Sequence, residues 1–195
     1  MSGMQEPDTT VSDEALMLAY ASGQASAFEV LYDRHSLRIW RYLFRNTGDA
    51  ALADDLGQEV WFAVVDGASS YQVKARFTTW LFTLAHHKLV DHWRRHKKHV
   101  SLDEDTPDGM QLAETLFAHS GFEPERIQGR KDVARALLDA LANLPDVQRA
   151  AFLLQAEGDM GIADIAAATG VPHETAKTRL RYARDKLRQA LEVLA

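Results

Sequence analysis

Several residue types and patterns are missing from this chain, and each absence excludes a class of protein. The 195 residues include no cysteine, which excludes a disulfide framework, a thiol nucleophile and a cysteine-bound zinc. A chain without disulfides suits a reducing compartment. No uninterrupted apolar run approaches the roughly 20 residues that cross a bilayer, and the polar, acidic start of the chain has no signal-peptide core. We therefore expect a cytoplasmic protein without membrane insertion.

Positive charge is also absent from long parts of the chain. The net charge is −6, but residues 1–33 and 103–125 carry acidic side chains and no lysine or arginine. Because clustered charge sets the local field, the net charge alone does not exclude nucleic acid. The alternative to nucleic-acid binding is that the basic residues lie on two ordinary solvated helix faces. The basic residues gather in two clusters: Lys88, Arg94, Arg95, Lys97 and Lys98, then Lys177, Arg179, Arg181, Arg184, Lys186 and Arg188.

The first half of the chain has the periodicity of amphipathic helices and little strand-like alternation. Ser26 and Glu29 have the spacing of a capping box, which predicts a helix start. The Asn46 to Asp49 turn then ends that helix, and Asp49 caps the next. After a predicted loop at 66–70, a long helix runs from Phe77 to about residue 98. We predict a disordered tail at 1–11 and a first helical domain at 12–98.

The second half begins with an acidic stretch that has no sustained apolar stripe. Residues 99–128 combine one sign of charge with Pro107 and Gly109, which is typical of a flexible linker. Leu112, Leu116 and Phe117 could form one short helix there. Residues 129–195 then show four helical segments, the second opened by Pro145. The predicted fold class is all-α, with two small helical domains joined by a flexible acidic linker.

The clearest local motif is a helix-turn-helix at residues 162–180. Gly170 permits the positive φ that a tight turn between helices needs, and Val171, Ala176 and Leu180 can bury behind the second helix. A plain helical hairpin with a charged face is the alternative. The side chains left on the outer side, toward a DNA major groove, are His173, Glu174, Lys177, Thr178 and Arg181.

Motifs in both halves resemble the extracytoplasmic-function sigma factors of bacterial RNA polymerase, in the sigma-70 family. The resemblance covers nearly all of the chain except the tail and the linker. Its segments, in order, are AFEVLYDRH (27–35), DDLGQEVW (54–61), FTTWLFTLA (77–85), DHWRR (91–95), Leu144-Pro145 with Gln148-Arg149, Glu157-Gly158 and TAKTRL (175–180).

The chain departs from the family pattern at three places. His87 stands where the family usually has the asparagine that helps to read the unpaired strand. Gly161 replaces a serine that often caps the first helix of the helix-turn-helix, although glycine is acceptable at that position. The loop before that helix is one residue longer than in many members.

The resemblance implies that the helix containing residues 54–61 binds the clamp helices of the largest subunits of core RNA polymerase. Asp55, Gln58 and Glu59 would be its polar contacts, and Leu56 or Val60 its apolar ones. A solvated acidic face is the alternative.

The resemblance also implies two DNA surfaces, with no catalytic residue, metal or cofactor. In the second domain, Lys177, Thr178 and Arg181 would read bases of the minus-thirty-five element and Arg179 would bind phosphate, with His173 and Glu174 beside them. Phe77 and Trp80 are expected in the core. The residues implied at the minus-ten element are Tyr71, Lys74, Arg76, His87, Arg94 and Arg95.

Three other functions fit parts of the sequence. An enzyme with a metal on His92 and His96 is possible by spacing, but the neighbouring lysines and arginines oppose a dication. A helix-turn-helix regulator acting without polymerase explains only the second domain. A mimic of a sigma factor would not need both basic clusters.

The resemblance implies a protein partner besides core polymerase and promoter DNA. Family members are commonly held inactive by an anti-sigma factor. Because the chain ends directly after its last predicted helix, we expect no attached regulatory domain and therefore control by an anti-sigma factor.

Overall fold

The computed structural model describes residues 11–97 and 128–192, and within these ranges it is α-helical without strands. This confirms the predicted fold class. The predicted tail and linker, including the helix considered around Leu116, lie outside the described residues. The elements are α1 (Asp13–Ala21), α2 (Ala25–Thr47), α3 (Ala50–Gly67), a 3₁₀ turn (Ala68–Ser70), α4 (Phe77–Lys97), α5 (Gln128–Ala142), α6 (Asp146–Ala156), α7 (Ile162–Thr169) and α8 (His173–Glu192).

The start of the first domain differs from the sequence prediction. A short helix, α1, comes first, and its N-cap Ser12 accepts a hydrogen bond from the backbone N–H of Ala15 at 3.2 Å. Gly23 then adopts φ +104°, and α2 begins at Ala25 without a side-chain cap. Ser26 therefore lies inside the helix, and the predicted capping box is wrong because the glycine reversal, not a serine, sets the start.

The turn between α2 and α3 is as predicted. Gly48 ends α2 with φ 73°, and the Asp49 carboxylate accepts from the N–H of Leu52 at 3.1 Å. The predicted loop at 66–70 is helical instead, because Ala68 packs into the core and Ser70 Oγ donates to the carbonyl of Gly67 at 3.1 Å.

The first helical unit is a bundle in which α2, α3 and α4 bury their apolar stripes. Tyr42, Phe77 and Phe82 are fully buried among leucines, and each such side chain stabilises the fold by roughly 1.5–3 kcal/mol. Phe77 lies in the core as predicted, and Trp80 packs partly buried against it. The Tyr42 hydroxyl and His86 Nδ1 form a buried hydrogen bond at 3.0 Å.

The amino terminus of α1 fixes the start of α4. The Glu14 carboxylate accepts from the backbone N–H of Phe77 at 2.6 Å, one of the donors that a helix leaves unpaired at its N-terminus. Asp13 binds His35 Nε2 at 2.7 Å and Arg34 at 2.8 Å. These hydrogen bonds lower the pKa of Asp13 despite its partial burial. The short α1 thus positions the helix that carries the first basic cluster.

The second unit packs α5, α6 and α7 around α8. Pro145 caps α6, whose first residue is Asp146. Along α8, Ala176, Leu180 and Leu187 are buried on one side of the helix. The remaining sides of α8 face outward and carry most of its charge.

The two units contact each other. The turn after α6 approaches α4 closely, so that a Cβ on Gly158 would lie 2.9 Å from the Phe82 ring. The Arg149 guanidinium donates to the carbonyl of Asn46 at the end of α2, at 3.2 Å. Helix α4 of the first unit also contacts α7 of the second.

We predict a histidine contribution to acid unfolding. Burial lowers the pKa of His86 to about 4, helped by His87 and Arg179. In the unfolded chain this histidine is protonated below about pH 6.5. The contribution of neutral His86 to the free energy of unfolding is therefore fully present above that pH and is lost as the pH falls to about 4. At pH 4.5 the loss should be roughly 2–3 kcal/mol.

His86→Gln should remove that part of the pH dependence. All the tryptophans lie in the first unit, so tryptophan fluorescence during urea unfolding at pH 7.5 and 4.5 measures it. Asp13 adds little to the difference, because a carboxyl group with a lowered pKa loses its stabilising effect only below about pH 4. Equal losses in wild type and variant would contradict the assignment to His86.

Candidate nucleic-acid interface

Helices α7 and α8 form a helix-turn-helix. Gly170 closes α7 with φ 65°, where a side chain would be strained. Ala166 and Ala176 are buried between the helices, so that the two backbones can approach. Gly161 stands at the N-cap of α7, and its N–H donates to the Asp164 carboxylate at 3.4 Å. The motif expected from the sequence is therefore present at the expected residues.

The outer side of α8 carries the side chains named from the sequence. His173, Lys177 and Arg181 are exposed, and Thr178 and Arg179 are half-buried. Glu174 is exposed as well, and its carboxylate lies 3.6 Å from Lys177 Nζ and 3.5 Å from His173 Nδ1. The glutamate therefore partly neutralises the first turn of the helix.

A second basic surface follows α4. His87 is exposed one residue after the buried His86, and Arg94 and Arg95 are exposed near the end of the helix. Arg94 makes an ion pair with Asp91 at 3.0 Å, which is weak because both side chains are solvated. This surface lies on the first unit, so the two cationic helices belong to different units.

The loop before α4 forms a pocket of 390 Å³ together with that helix, lined in part by Lys74, Thr79 and Trp80. Tyr71 is half-buried in its wall, with its ring 5.0 Å from that of Trp80. Burial raises the pKa of Tyr71, and the nearby Glu14 and Asp13 raise it further. Tyr71 thus forms part of an aromatic wall rather than standing free.

Arg76, at the end of the same loop, is bound to the other unit. Its guanidinium contacts the Asp159 carboxylate at 2.8 Å and donates to the Asp159 carbonyl. The structure therefore separates the six residues that the resemblance implied at the minus-ten element. Lys74, His87, Arg94 and Arg95 are exposed on the first unit, Tyr71 packs on aromatic rings, and Arg76 is exposed but paired with the second unit.

An apolar groove of 470 Å³ lies between α2 and α3. Phe62 is 66% exposed beside it, and the rings of Tyr32 and Trp61 lie 4.9 Å apart within its lining. Gln58 lies on this lining. The groove combines exposed aromatic surface with a polar edge, which is typical of a protein-binding site.

The sequence placed the apolar contacts of α3 on the wrong side of the helix. Leu56 and Val60 are 2% and 0% exposed, because they pack into the bundle core, so neither can contact a partner. Asp55 and Gln58 are exposed, and Glu59 is half-buried with its carboxylate 3.3 Å from Lys88 Nζ. The sequence analysis missed Phe62 and Val65, although their positions four and seven residues after Gln58 put all three on one helix face.

The described residues form neither a membrane-spanning helix nor a three-residue metal cluster. In residues 11–97 and 128–192, no helix is long and apolar enough to span a membrane. The same ranges bring together no cluster of three or more histidine and acidic side chains suited to a metal. His92 and His96 stack with ring centroids 4.1 Å apart. Burial lowers the pKa of His92, and His96 and Arg95 lower it further.

The structure has two helical units, each with a cationic helix. An acidic helix lies beside an apolar groove in the first unit. These features are typical of a DNA-binding transcription protein that has a protein partner. Residues 31–99 match the family profile of Sigma-70 region 2, and residues 134–187 that of Sigma-70, region 4.

Proteins of similar sequence belong to the same family as these matches. The chain is 32% identical over 176 residues to the RNA polymerase sigma factor CarQ of Myxococcus xanthus, covering 90% of this chain and 95% of that one. It is 31% identical over 180 residues to the ECF RNA polymerase sigma factor SigL of Mycobacterium tuberculosis, with 89% and 94% covered. The solved structure of CnrH, in complex with the cytosolic domain of CnrY, has the same fold with a TM-score of 0.64 at 21% identity, covering 93% of this chain and 97% of that one.

The chain belongs to the sigma-70 family, as an extracytoplasmic-function sigma factor of bacterial RNA polymerase. Its function is therefore promoter-specific transcription initiation together with core RNA polymerase. The expectation drawn from its motifs is confirmed at the level of family and function.

We predict that the helix-turn-helix depends on the backbone of Gly170. Gly170→Ala should lower the free energy of unfolding of the second unit by roughly 1–2 kcal/mol, because a Cβ is strained at positive φ. Gly170→Asn should lower the free energy of unfolding by less, since asparagine tolerates this conformation. Thermal unfolding followed by circular dichroism measures both.

Gly161→Ala is the matched control, since Gly161 has an extended backbone with φ −73° and a Cβ there would make only an ordinary contact of 3.6 Å with Asp164 Oδ2. It should lose less than Gly170→Ala. If the two alanine variants unfold at the same temperature, the conformational argument is wrong.

Proposed function

We propose that the chain divides promoter recognition among three surfaces. The groove between α2 and α3 binds core polymerase, the loop at 71–76 with α4 binds the opened minus-ten element, and α8 reads the minus-thirty-five element. The observation that carries this proposal is that the two cationic helices belong to separate helical units, joined by a segment of about 30 residues. The factor needs no catalytic residue of its own, because polymerase supplies the chemistry.

The polymerase surface is proposed for the groove and its polar edge. Asp55 and Gln58 are exposed on α3, and Phe62 and Val65 continue the same side of the helix. An exposed aromatic side chain next to a preformed groove supplies the desolvated anchor that protein interfaces use, and the carboxylates give orientation. The clamp helices of the largest polymerase subunit are the occupant that the family implies.

We expect Gln58→Lys with Glu59→Lys to weaken the binding of core polymerase, with a Kd raised at least about 10-fold. Gln58→Lys adds a positive charge to the groove lining, Glu59→Lys reverses the charge next to it, and neither side chain is in the core. The control is Glu29→Lys with Asp33→Lys, two exposed acidic residues on α2 that do not line the groove. A pull-down or biolayer measurement with purified core polymerase compares the binding of the two variants. Undiminished capture by the groove variant would contradict the proposal.

The minus-ten surface is proposed for the pocket beside Tyr71. An opened promoter has unpaired bases, and a base that leaves the stack needs aromatic walls and polar edges. Trp80 and Tyr71 supply the walls, and Lys74 supplies a charge for the backbone of the strand. His87, Arg94 and Arg95 extend the cationic path along α4. Holding an unpaired base in this way assists DNA melting.

The minus-thirty-five surface is proposed for the outer side of α8. Lys177 and Arg181 are one turn apart and exposed, which places both toward the same groove. Thr178 offers a hydroxyl and a methyl group for bases, and Arg179 suits a phosphate. Narrow A-rich DNA would add shape readout at this element.

We expect Lys177→Ala and Arg181→Ala each to lower initiation by roughly 5- to 100-fold, because a base contact contributes roughly 1–3 kcal/mol of discrimination. Promoters selected from a random library with reconstituted holoenzyme provide the templates. Arg188→Ala is the control, since Arg188 is exposed farther along α8 and pairs with Asp185 at 3.5 Å. Equal losses from all three variants would contradict specific reading by the first turns.

The same assay separates the main function from a helix-turn-helix regulator that works without polymerase. A sigma factor makes core polymerase start RNA synthesis at the selected sites, whereas a regulator binds its site with no such effect.

An anti-sigma factor is the proposed control partner. Structural neighbours of the same fold were solved with such partners, among them the sigma factor RpoE with the anti-sigma factor NepR from Bartonella quintana, at 19% identity and a TM-score of 0.64. The exposed groove with Phe62 is the surface that such a partner would cover.

A further inference from the structure

An exposed aromatic side chain lies among the cationic residues of α8. Tyr182 is 50% exposed and does not belong to the apolar core of the second unit. The guanidinium of the exposed Arg181 lies over its ring, 5.2 Å from the ring centroid. The fold therefore does not use this ring for packing, whereas an arginine of the proposed DNA surface is in contact with it.

Tyr182 lies on the outer side of α8, next to residues proposed for DNA. Side chains four residues apart on a helix are neighbours, and Tyr182 follows Thr178 by one such step. Leu180 and Ala183 are 1% and 0% exposed, and their burial fixes the rotation of this part of the helix. Tyr182 is therefore the next residue along the outer surface after Thr178.

A contact with a ring holds a guanidinium without pairing its N–H donors with a carboxylate. Arginine has five such donors in a fixed planar fork, and it reads guanine through two of them, which bind O6 and N7. Arginine side chains also interact favourably with aromatic faces. The Tyr182 ring can therefore restrict the rotamers of Arg181 and leave the fork available for a base.

Two other cations of α8 are held by carboxylates instead. Lys177 Nζ lies 3.6 Å from the Glu174 carboxylate. The Asp185 carboxylate, one turn after Arg181, pairs with Arg188 at 3.5 Å, and among the described residues no carboxylate forms an ion pair with Arg181. An ion pair must be broken or shared when its cation binds a base, whereas an aromatic contact need not be.

We infer that Tyr182 is a positioning residue for promoter recognition: its ring holds the Arg181 guanidinium in the orientation that reads one base pair of the minus-thirty-five element. The inference rests on the proposed function, which assigns α8 to that element and Arg181 to its bases. Tyr182 contributes to the choice between bases rather than to overall affinity, because a neutral ring neutralises no phosphate of the DNA backbone.

The base preferences of reconstituted holoenzyme test the inference. Initiation is measured on a selected promoter and on every single-base-pair variant of its minus-thirty-five element. Arg181→Ala identifies the base pair that this arginine reads, because the preference at that pair is lost. Tyr182→Leu keeps apolar bulk without a ring. It should lower the preference at the same base pair by about 2- to 5-fold, as expected for a cation–π contact at an exposed site, and leave the other preferences unchanged.

A conservative variant separates the ring from its hydroxyl group. Tyr182→Phe keeps the ring face and should retain the wild-type preference. In the Arg181→Ala background, Tyr182→Leu should have no further effect, because the ring acts through the arginine. Gln189→Ala changes an exposed neutral residue about two turns farther along α8, and as the control it should leave every preference unchanged.

The contact can also be measured in the absence of DNA. An aromatic ring shifts the NMR signals of protons over its face upfield. The side-chain Hδ signals of Arg181 in the free factor should therefore lie upfield of their positions in Tyr182→Leu, and Tyr182→Phe should keep the shift. Identical signals in the wild type and Tyr182→Leu would overturn the inference whatever the promoter assay shows.

Each other explanation gives a different pattern in the promoter assay. Equal losses in Tyr182→Phe and Tyr182→Leu would mean that the hydroxyl group contacts DNA directly, and an equal loss at every base pair would mean a structural effect. Either result overturns the inference, as does a further loss in the Arg181→Ala background. If Arg181→Ala removes a preference that Tyr182→Leu leaves intact, the inference alone fails. If Arg181→Ala changes no preference, the proposed function of Arg181 fails and the inference fails with it.

Discussion

The structure depends on the burial of one apolar stripe along each long helix. In α4, Phe77, Leu81, Ala85 and Leu89 are fully buried, and their spacing leaves no freedom to rotate the helix about its axis. The same burial that stabilises the bundle therefore fixes which side chains face solvent. His87 and Arg95 face outward because their neighbours face inward. In α8, Ala176 and Leu180 have the same effect on Lys177 and Arg181.

This constraint explains what could be predicted from the sequence. Helical periodicity identifies buried stripes well, so α4, the Gly170 turn and the outer residues of α8 were predicted at the correct places. The same reasoning fails where a helix is buried on more than one side. Leu56 and Val60 of α3 were assigned to a partner, but the bundle already uses them. Phe62 and Val65, which lie on the free side of α3, were recoverable from the heptad-like spacing that begins at Gln58.

Contacts between distant parts of the chain could not be predicted, because no local pattern encodes them. Glu157 and Gly158 were noted from the sequence only as part of a family motif. Their contacts with Arg41 and Phe82 span more than 70 residues. The same holds for Glu14, which caps a helix that begins 63 residues later. In each case the sequence supplies the residue, and only the fold supplies its partner.

The two charge systems of the molecule have different energetic roles. On α8 the charged side chains are hydrated in the absence of DNA, so exposing them lowers the stability of the fold only slightly. Glu157 pairs with Arg41 and Arg45; its side chain is 7% exposed whereas theirs are 30% and 25% exposed, so breaking the contact rehydrates mainly the carboxylate. Rehydration offsets most of the lost attraction, since desolvation and Coulomb attraction nearly balance for buried ion pairs. A contact built this way can be specific in geometry and still be weak in net free energy.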